Sequence, residues 1–249
     1  LENMMRTLNV EEDMPIESKM LTKIIESSQK KVEGRNFSIR KNVLNYDDVM
    51  NTQREIIYKQ RSQVLDGEDL HESILKMIDD LVESTVNLYL ADEDDKANWN
   101  VVGLKDYFLG WLLGPEDLTF TEEEIEEITR EDIISALNEK AKEIYAAKEE
   151  EYGEEIIREL ERVILLKVVD TKWMAHIDDM DELKKGIGLR AFGQKNPVVE
   201  YRYEGFEMFD AMVESIREDT VRALLTIRLQ KNEAPKREQV AEIDAPNAG

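Results

Sequence analysis

The sequence predicts an all-α protein built from one very long helix, an antiparallel two-helix hairpin and a helical lobe inserted between them. Only 11 glycines and 5 prolines interrupt 249 residues. Between these breakers, apolar residues recur at steps of three and four rather than alternating, the period of a helix with one buried face. The hydrophobic share of 41% is enough for a real core despite 36% charged residues.

Between Pro15 and Gly67 the one strong breaker is Gly34, and Ile16, Met20, Ile24, Ile39, Val43, Tyr46, Met50, Ile57 and Val64 form a broken apolar stripe. This pattern predicts a single helix, with Gly34 as the place for a bend. At about 1.5 Å per residue, roughly 50 residues extend about 75 Å, longer than a domain of this size is wide. Leu70, Ile74, Ile78, Leu81 and Leu88 mark a second amphipathic helix over 70–90, ended by the acidic run Asp92–Asp95. A short apolar segment, Val101–Leu113, follows, stopped by Gly114 and Pro115. Thr121 and Glu124 have capping-box spacing, in which hydroxyl and carboxylate satisfy the free amides of a helix start. Helices through residue 152 complete this lobe.

After Gly153, the series Leu166, Val169, Trp173, Ile177, Met180 and Leu183 predicts a helix ending at Gly186 and Gly188. Asn196 suits a helix cap and Pro197 a first turn, where a missing amide costs nothing. Tyr201, Phe209, Met212, Ile216, Leu224 and Ile227 give this last helix its apolar face. Two long helices joined by so short a loop must lie antiparallel to bury their stripes, leaving a tip of Leu189, Arg190, Ala191, Phe192, Gly193, Gln194 and Lys195. Residues 232–249 show no sustained periodicity and read as a disordered tail.

Charge narrows the function. Against 33 basic residues stand 56 acidic ones, for a net charge of -23, which repels phosphate backbones and argues against nucleic acid as a partner. Residues 15–65 carry 10 basic and 6 acidic side chains, whereas residues 66–161 carry 8 basic and 30 acidic. The absence of cysteine removes disulfide and thiolate-zinc chemistry and fits a cytoplasmic protein. There is neither a signal-peptide pattern at the N-terminus nor an apolar run long enough to span a bilayer, so membrane contact is expected to be peripheral.

Catalytic patterns are sparse. The Gly-Lys-Ser/Thr of a phosphate-binding loop occurs nowhere. Gly186-Ile187-Gly188 follows a helical rather than a strand pattern, which favours a turn over a dinucleotide loop. Glu68 and His71 have the Glu-x-x-His spacing of di-iron bundles, but Trp173 stands where the second motif around His176 needs a glutamate. Asp178, Asp179, Asp181 and Glu182 read as a solvated helix face beside Lys184 and Lys185. Trp173 reads as a packing anchor. Tyr46, Asp47 and Asp48, with Arg40, Lys41 and Arg54 nearby, suit either a polar junction against another domain or an ordinary surface network. An aromatic Phe192 between Arg190 and Lys195 is the strongest candidate for a contact residue at the tip.

Two blocks carry a resemblance. KVEGRNFSIRKNVLNYDDVMNTQREIIYKQR at 31–61 resembles the long scaffold helix of the SecA family of bacterial preprotein translocase motors. DTKWMAHIDDMDELKKGIGLRAFGQKNPVVEY at 170–201 resembles the two-helix finger of the same family, and the blocks stand in the expected order. The resemblance implies residues 1–14 as a remnant of a second nucleotide-binding domain, 15–70 as the helical scaffold, 71–156 as the helical wing domain and 157–231 as the two-helix finger. It also implies a motor that couples ATP turnover to export of unfolded preproteins through the SecYEG channel at the cytoplasmic face of the plasma membrane. ATP and magnesium would bind domains that precede residue 1, leaving this chain without a catalytic site, cofactor or metal of its own. A cysteine-containing zinc tail would follow residue 249.

In that frame Arg190, Phe192, Gln194 and Lys195 contact substrate and channel, with Phe192 where the family usually has tyrosine and Gly193 where alanine is commoner. The segment from Trp173 to the tip matches a region that restrains ATPase activity, and Arg35, Arg40, Tyr46, Asp47, Asp48, Arg54 and Trp173 are candidates for bracing the motor domains. Partners are then the channel, unfolded preprotein and the nucleotide-binding domains of the same parent chain. Loss of burial against those domains leaves a surface that could drive homodimer formation. The alternative is a generic all-helical scaffold that binds a partner through the long helix and hairpin.

Overall fold

The long helix α1 runs from Lys19 to Leu65, 47 residues, and passes through Gly34 as continuous helix. The computed structural model describes residues 19–67, 69–91, 96–188 and 196–229. The other helices are α2 (His71–Tyr89), α3 (Val101–Phe108), α4 (Glu122–Glu127), α5 (Arg130–Tyr152), α6 (Glu154–Gly186) and α7 (Pro197–Thr226), with a 3-10 turn at Lys96–Asn98. Among the described residues there is no strand, so the all-α prediction holds. None of their helices is long and apolar enough to cross a membrane. The expected tail at 232–249 lies outside the described residues.

Two compact units emerge: Leu1–Glu68 with Leu166–Ile216, and Asp69–Leu165 with Arg217–Gly249. In the first, contacts fix the directions of three helices. Along α1 and α6, Asp47 meets Lys184, Gln53 meets His176 and Arg61 meets Asp170, so the two run antiparallel. Along α6 and α7, Ile187 shares a cluster with Tyr201, Met180 lies against Gly205 and His176 faces Phe209, so these too are antiparallel. The expected hairpin is therefore present. Its core is Val49, Met180, Ile187 and Tyr201, with Tyr46, Met50, Leu183 and Met208 packed around them. Tyr46 meets Tyr201 edge to face at 4.8 Å, a geometry the ring quadrupoles favour.

The second unit is centred on α2, which packs against α5 and α3. Its apolar stripe of Ile74, Ile78, Leu81, Val82 and Val86 is buried, about 2 kcal/mol of stabilisation per side chain. After α3 the chain turns at Gly110, whose φ of +84 suits glycine, so the apolar run to Leu113 is only partly helical. The Thr121–Glu124 capping box forms as its spacing predicts, and a second follows at Thr129–Asp132. Gly153 ends α5 with φ +88 and lets α6 begin one residue later.

Polar groups fasten this unit where apolar ones cannot. Glu161 is fully buried, accepts from Arg158 Nη1 at 2.8 Å and from the Tyr145 hydroxyl, and stands 4.0 Å from His71 Nδ1. Burial, then the Glu161 carboxylate, pushes the Tyr145 phenol far above its usual range. Arg222 lies over the rings of Trp111 and Tyr107, 5.1 and 5.7 Å from their centroids, and Lys148 Nζ donates to the Ile227 carbonyl at 2.5 Å. Together with the pair between Arg217 and Asp80, these contacts hold the end of α7 onto this unit.

Candidate docking surface and hairpin base

The first unit presents two different surfaces along one helix. From residue 22 to residue 44 every side chain of α1 is exposed; from Val49 onward Val49, Gln53, Ile57 and Val64 are buried. The exposed arm is not the polar helix that water alone would select. It carries Ile24, Ile25, Val32, Phe37, Ile39, Val43 and Leu44, with Phe37 69% and Leu44 68% exposed. Six basic residues (Lys23, Lys30, Lys31, Arg35, Arg40, Lys41) are interleaved with two acidic ones, Glu26 and Glu33. Long lysine and arginine stems lie along apolar surface while their charges stay in water, so such an arm fits an apolar face rimmed by carboxylates.

The predicted bracing residues separate into four settings. Arg35 and Arg40 lie on the exposed arm. Tyr46 and Asp47 face the hairpin: Lys184 Nζ is 3.3 Å from Asp47 Oδ1 and 5.8 Å from the centre of the Tyr46 ring. Both members of the ion pair are exposed, so it contributes at most about 1 kcal/mol. Asp48 and Arg54 are exposed; the Asp48 carbonyl accepts from the Thr52 hydroxyl at 3.0 Å, and Arg54 Nη1 donates to Asn51 Oδ1 at 3.0 Å. Trp173 is buried on α6, as an anchor should be, with its indole N–H unpartnered. The tip candidates Arg190, Phe192, Gln194 and Lys195 lie outside the described residues.

Asp178, Asp179, Asp181 and Glu182 are exposed, with Glu182 paired to Lys185 at 2.7 Å. Glu68 lies outside the described residues, and His71 Nδ1 is 3.3 Å from the Tyr145 hydroxyl. Among the described residues no three histidines or carboxylates group as metal ligands do.

Sequence reasoning missed the polar centre of the hairpin base. Gln53, His176 and Gly205 come from three helices and meet in the core: Gln53 Nε2 donates to the Gly205 carbonyl at 2.8 Å, and Gln53 Oε1 is 2.9 Å from His176 Nε2. Gln53 and His176 are buried, and burial lowers the imidazole pKa, with the Asp179 carboxylate acting in the opposite sense. Tyr201 beside them is pushed up to about 12 by burial and then by Asp181 and Asp47.

Residues 15–228 match the family model described as the SecA wing and scaffold domain. A protein translocase subunit SecA of Clostridium perfringens is 51% identical over 241 residues, covering 97% of this chain and 28% of the relative. That of Acetivibrio thermocellus is 47% identical over 242 residues, again covering 97% of this chain but 27% of the relative. The one from Syntrophomonas wolfei is 45% identical over 229 residues, 92% of this chain and 27% of the relative. The chain thus spans a little over a quarter of the length of the relatives it matches. Because the family model takes in the long helix, the lobe and the hairpin alike, this chain belongs to the SecA wing and scaffold domain family.

Proposed function

We propose that this chain is the mechanical and regulatory part of a SecA-type motor that couples ATP hydrolysis to export of unfolded preproteins through a membrane channel. ATP and magnesium bind elsewhere in the parent; the long helix docks onto those motor domains, and the hairpin carries its tip to substrate and channel. The observation that supports this reading best is the exposed arm of α1, residues 22–44, whose seven large apolar side chains have no cover in their own unit. A surface of that kind is expected to be an interface. In the proposed division the scaffold takes 15–70, the wing 71–156 and the finger 157–231, with 1–14 a remnant of a motor domain. The compact units observed differ slightly, giving 157–165 and the end of α7 to the body that holds the wing.

Docking is tested by adding the ATP-binding remainder of a SecA relative, produced separately, to this chain and following association and basal ATPase. The expected result is binding that lowers turnover and that Phe37→Asp with Leu44→Asp weakens at least tenfold while helical content is retained. Unchanged binding by the folded double variant would place the interface elsewhere. Substrate contact is tested with Phe192→Cys in the reassembled motor, where the chain offers no competing thiol. Cross-links to a stalled preprotein from this position support tip contact; none in an active motor leaves bracing as the function of the hairpin.

A further inference from the structure

The carboxamide of Gln53 is occupied at both ends. A backbone carbonyl only accepts, so the 2.8 Å contact to Gly205 identifies the amide nitrogen as its donor. The oxygen end therefore faces His176, and Nε2 of that ring, 2.9 Å away, must carry the proton of the hydrogen bond. Burial favours the neutral ring, so one tautomer, Nε2–H, is selected. Trp173 and Phe209 confine the imidazole, with ring centroids 5.7 and 5.8 Å from it.

Gly205 is the third requirement. A Cβ there would meet Met180 Cε at 2.7 Å and Sδ at 3.3 Å, so the absence of a side chain is what lets α7 lie this close to α6. Its carbonyl already serves the ladder of its own helix and gives a second lone pair to Gln53.

We propose that Gln53, His176 and Gly205 form a register lock, a set of positioning residues that fixes where the α6–α7 hairpin sits along α1. The surrounding cluster supplies adhesion but little register, because methionine and leucine side chains repack readily when helices slide. The polar contacts admit no such slide. A shift of one turn, about 5.4 Å, would leave a carboxamide and an imidazole N–H buried without partners. Specifying register is the best-attested use of a lone polar group in an apolar seam.

The lock has a mechanical consequence that rests on the reading under Proposed function: the hairpin moves with α1 as one body rather than pistoning past it. The lock itself does not depend on that reading, and its tests involve neither ATP nor channel. On the unmodified chain, two-bond proton–nitrogen correlation spectra of the two histidines, assigned with His176→Gln, are expected to show His176 neutral at pH 7.5 with a slowly exchanging Nε2 proton. An Nδ1–H tautomer, or rapid averaging between the two, overturns the lock.

Register is read separately with spin labels at Ser62→Cys and Arg202→Cys, both exposed positions outside the 22–44 arm in a chain without native thiols. With Gln53 and His176 intact, one narrow distance distribution is expected. Gln53→Leu with His176→Leu keeps apolar bulk and is expected to split or broaden that distribution. An unchanged narrow distribution in the folded double variant overturns the proposal. If that variant does not fold, the tautomer measurement still decides.

Discussion

His176 is held by burial in the form that its hydrogen bond needs, and the same burial makes it sensitive to acid. Its Nε2 proton donates to Gln53 whether or not the ring is charged, so acid adds the second proton at Nδ1, placing a cation between Trp173 and Phe209. The folded-state pKa is lowered from about 6.5. The unfolded chain therefore binds the proton first as pH falls, and the contribution of this residue is complete above that value and lost below it. Urea unfolding of the natural chain and of His176→Gln between pH 7.5 and 5 should show the stability difference shrinking toward acid. A constant difference would mean that the buried imidazole is not the titrating group. Sequence reading stopped short of this site for a definable reason. The stripe of α1 reads Tyr46, Met50, Ile57, and the two-turn gap between the last two is where Gln53 faces inward. A polar residue on an apolar stripe signals a buried hydrogen bond, but the partners lie 123 and 152 positions away, and periodicity does not identify them.

At the scale of elements, local chemistry was legible because it is local. Thr121–Glu124 was readable as a cap from spacing alone, the Asn196 side-chain oxygen accepts from the Val198 amide, and Pro197 opens α7. The pair Thr129 and Asp132 has the same signature with the shorter acid: Thr129 Oγ1 accepts from the Asp132 amide at 3.2 Å, while Asp132 accepts from the Thr129 amide at 3.0 Å. Those bonds from the Thr129 hydroxyl and amide lower the Asp132 pKa. α5 is the main partner of α2, so its start matters to the whole second unit. Replacement Thr129→Ala is expected to destabilise the unit by about 1 kcal/mol, whereas Thr121→Ala, capping a helix of six residues, should cost less. Thermal unfolding of the two variants side by side checks the ranking. What the sequence could not distinguish was the two halves of α1. Ile24, Ile39 and Val43 continue the same stripe as Ile57 and Val64, yet burial begins only at Val49. Periodicity states which face is apolar, not what covers it.

Across the whole molecule, charge and cover are distributed in a way that makes the arm of α1 exceptional. A chain with net charge -23 concentrates six of its 33 basic residues in residues 22–44, the same stretch in which no side chain is buried. An α-helix of this length without tertiary contacts is marginal in water, since propagation barely offsets the cost of nucleation. The half from Val49 to Val64 is stabilised instead by burial and by the Gln53 contacts. Hydrogen exchange should therefore divide one continuous helix: amides of 22–44 are expected to exchange at least tenfold faster than those of 49–64, as local fraying rather than global unfolding. Adding the ATP-binding remainder of a relative should slow the first set and leave the second unchanged, because the proposed docking would supply the cover that the arm lacks. Equal protection of both halves in the isolated chain would mean that the arm is already covered within its own molecule, and docking would lose its physical motive.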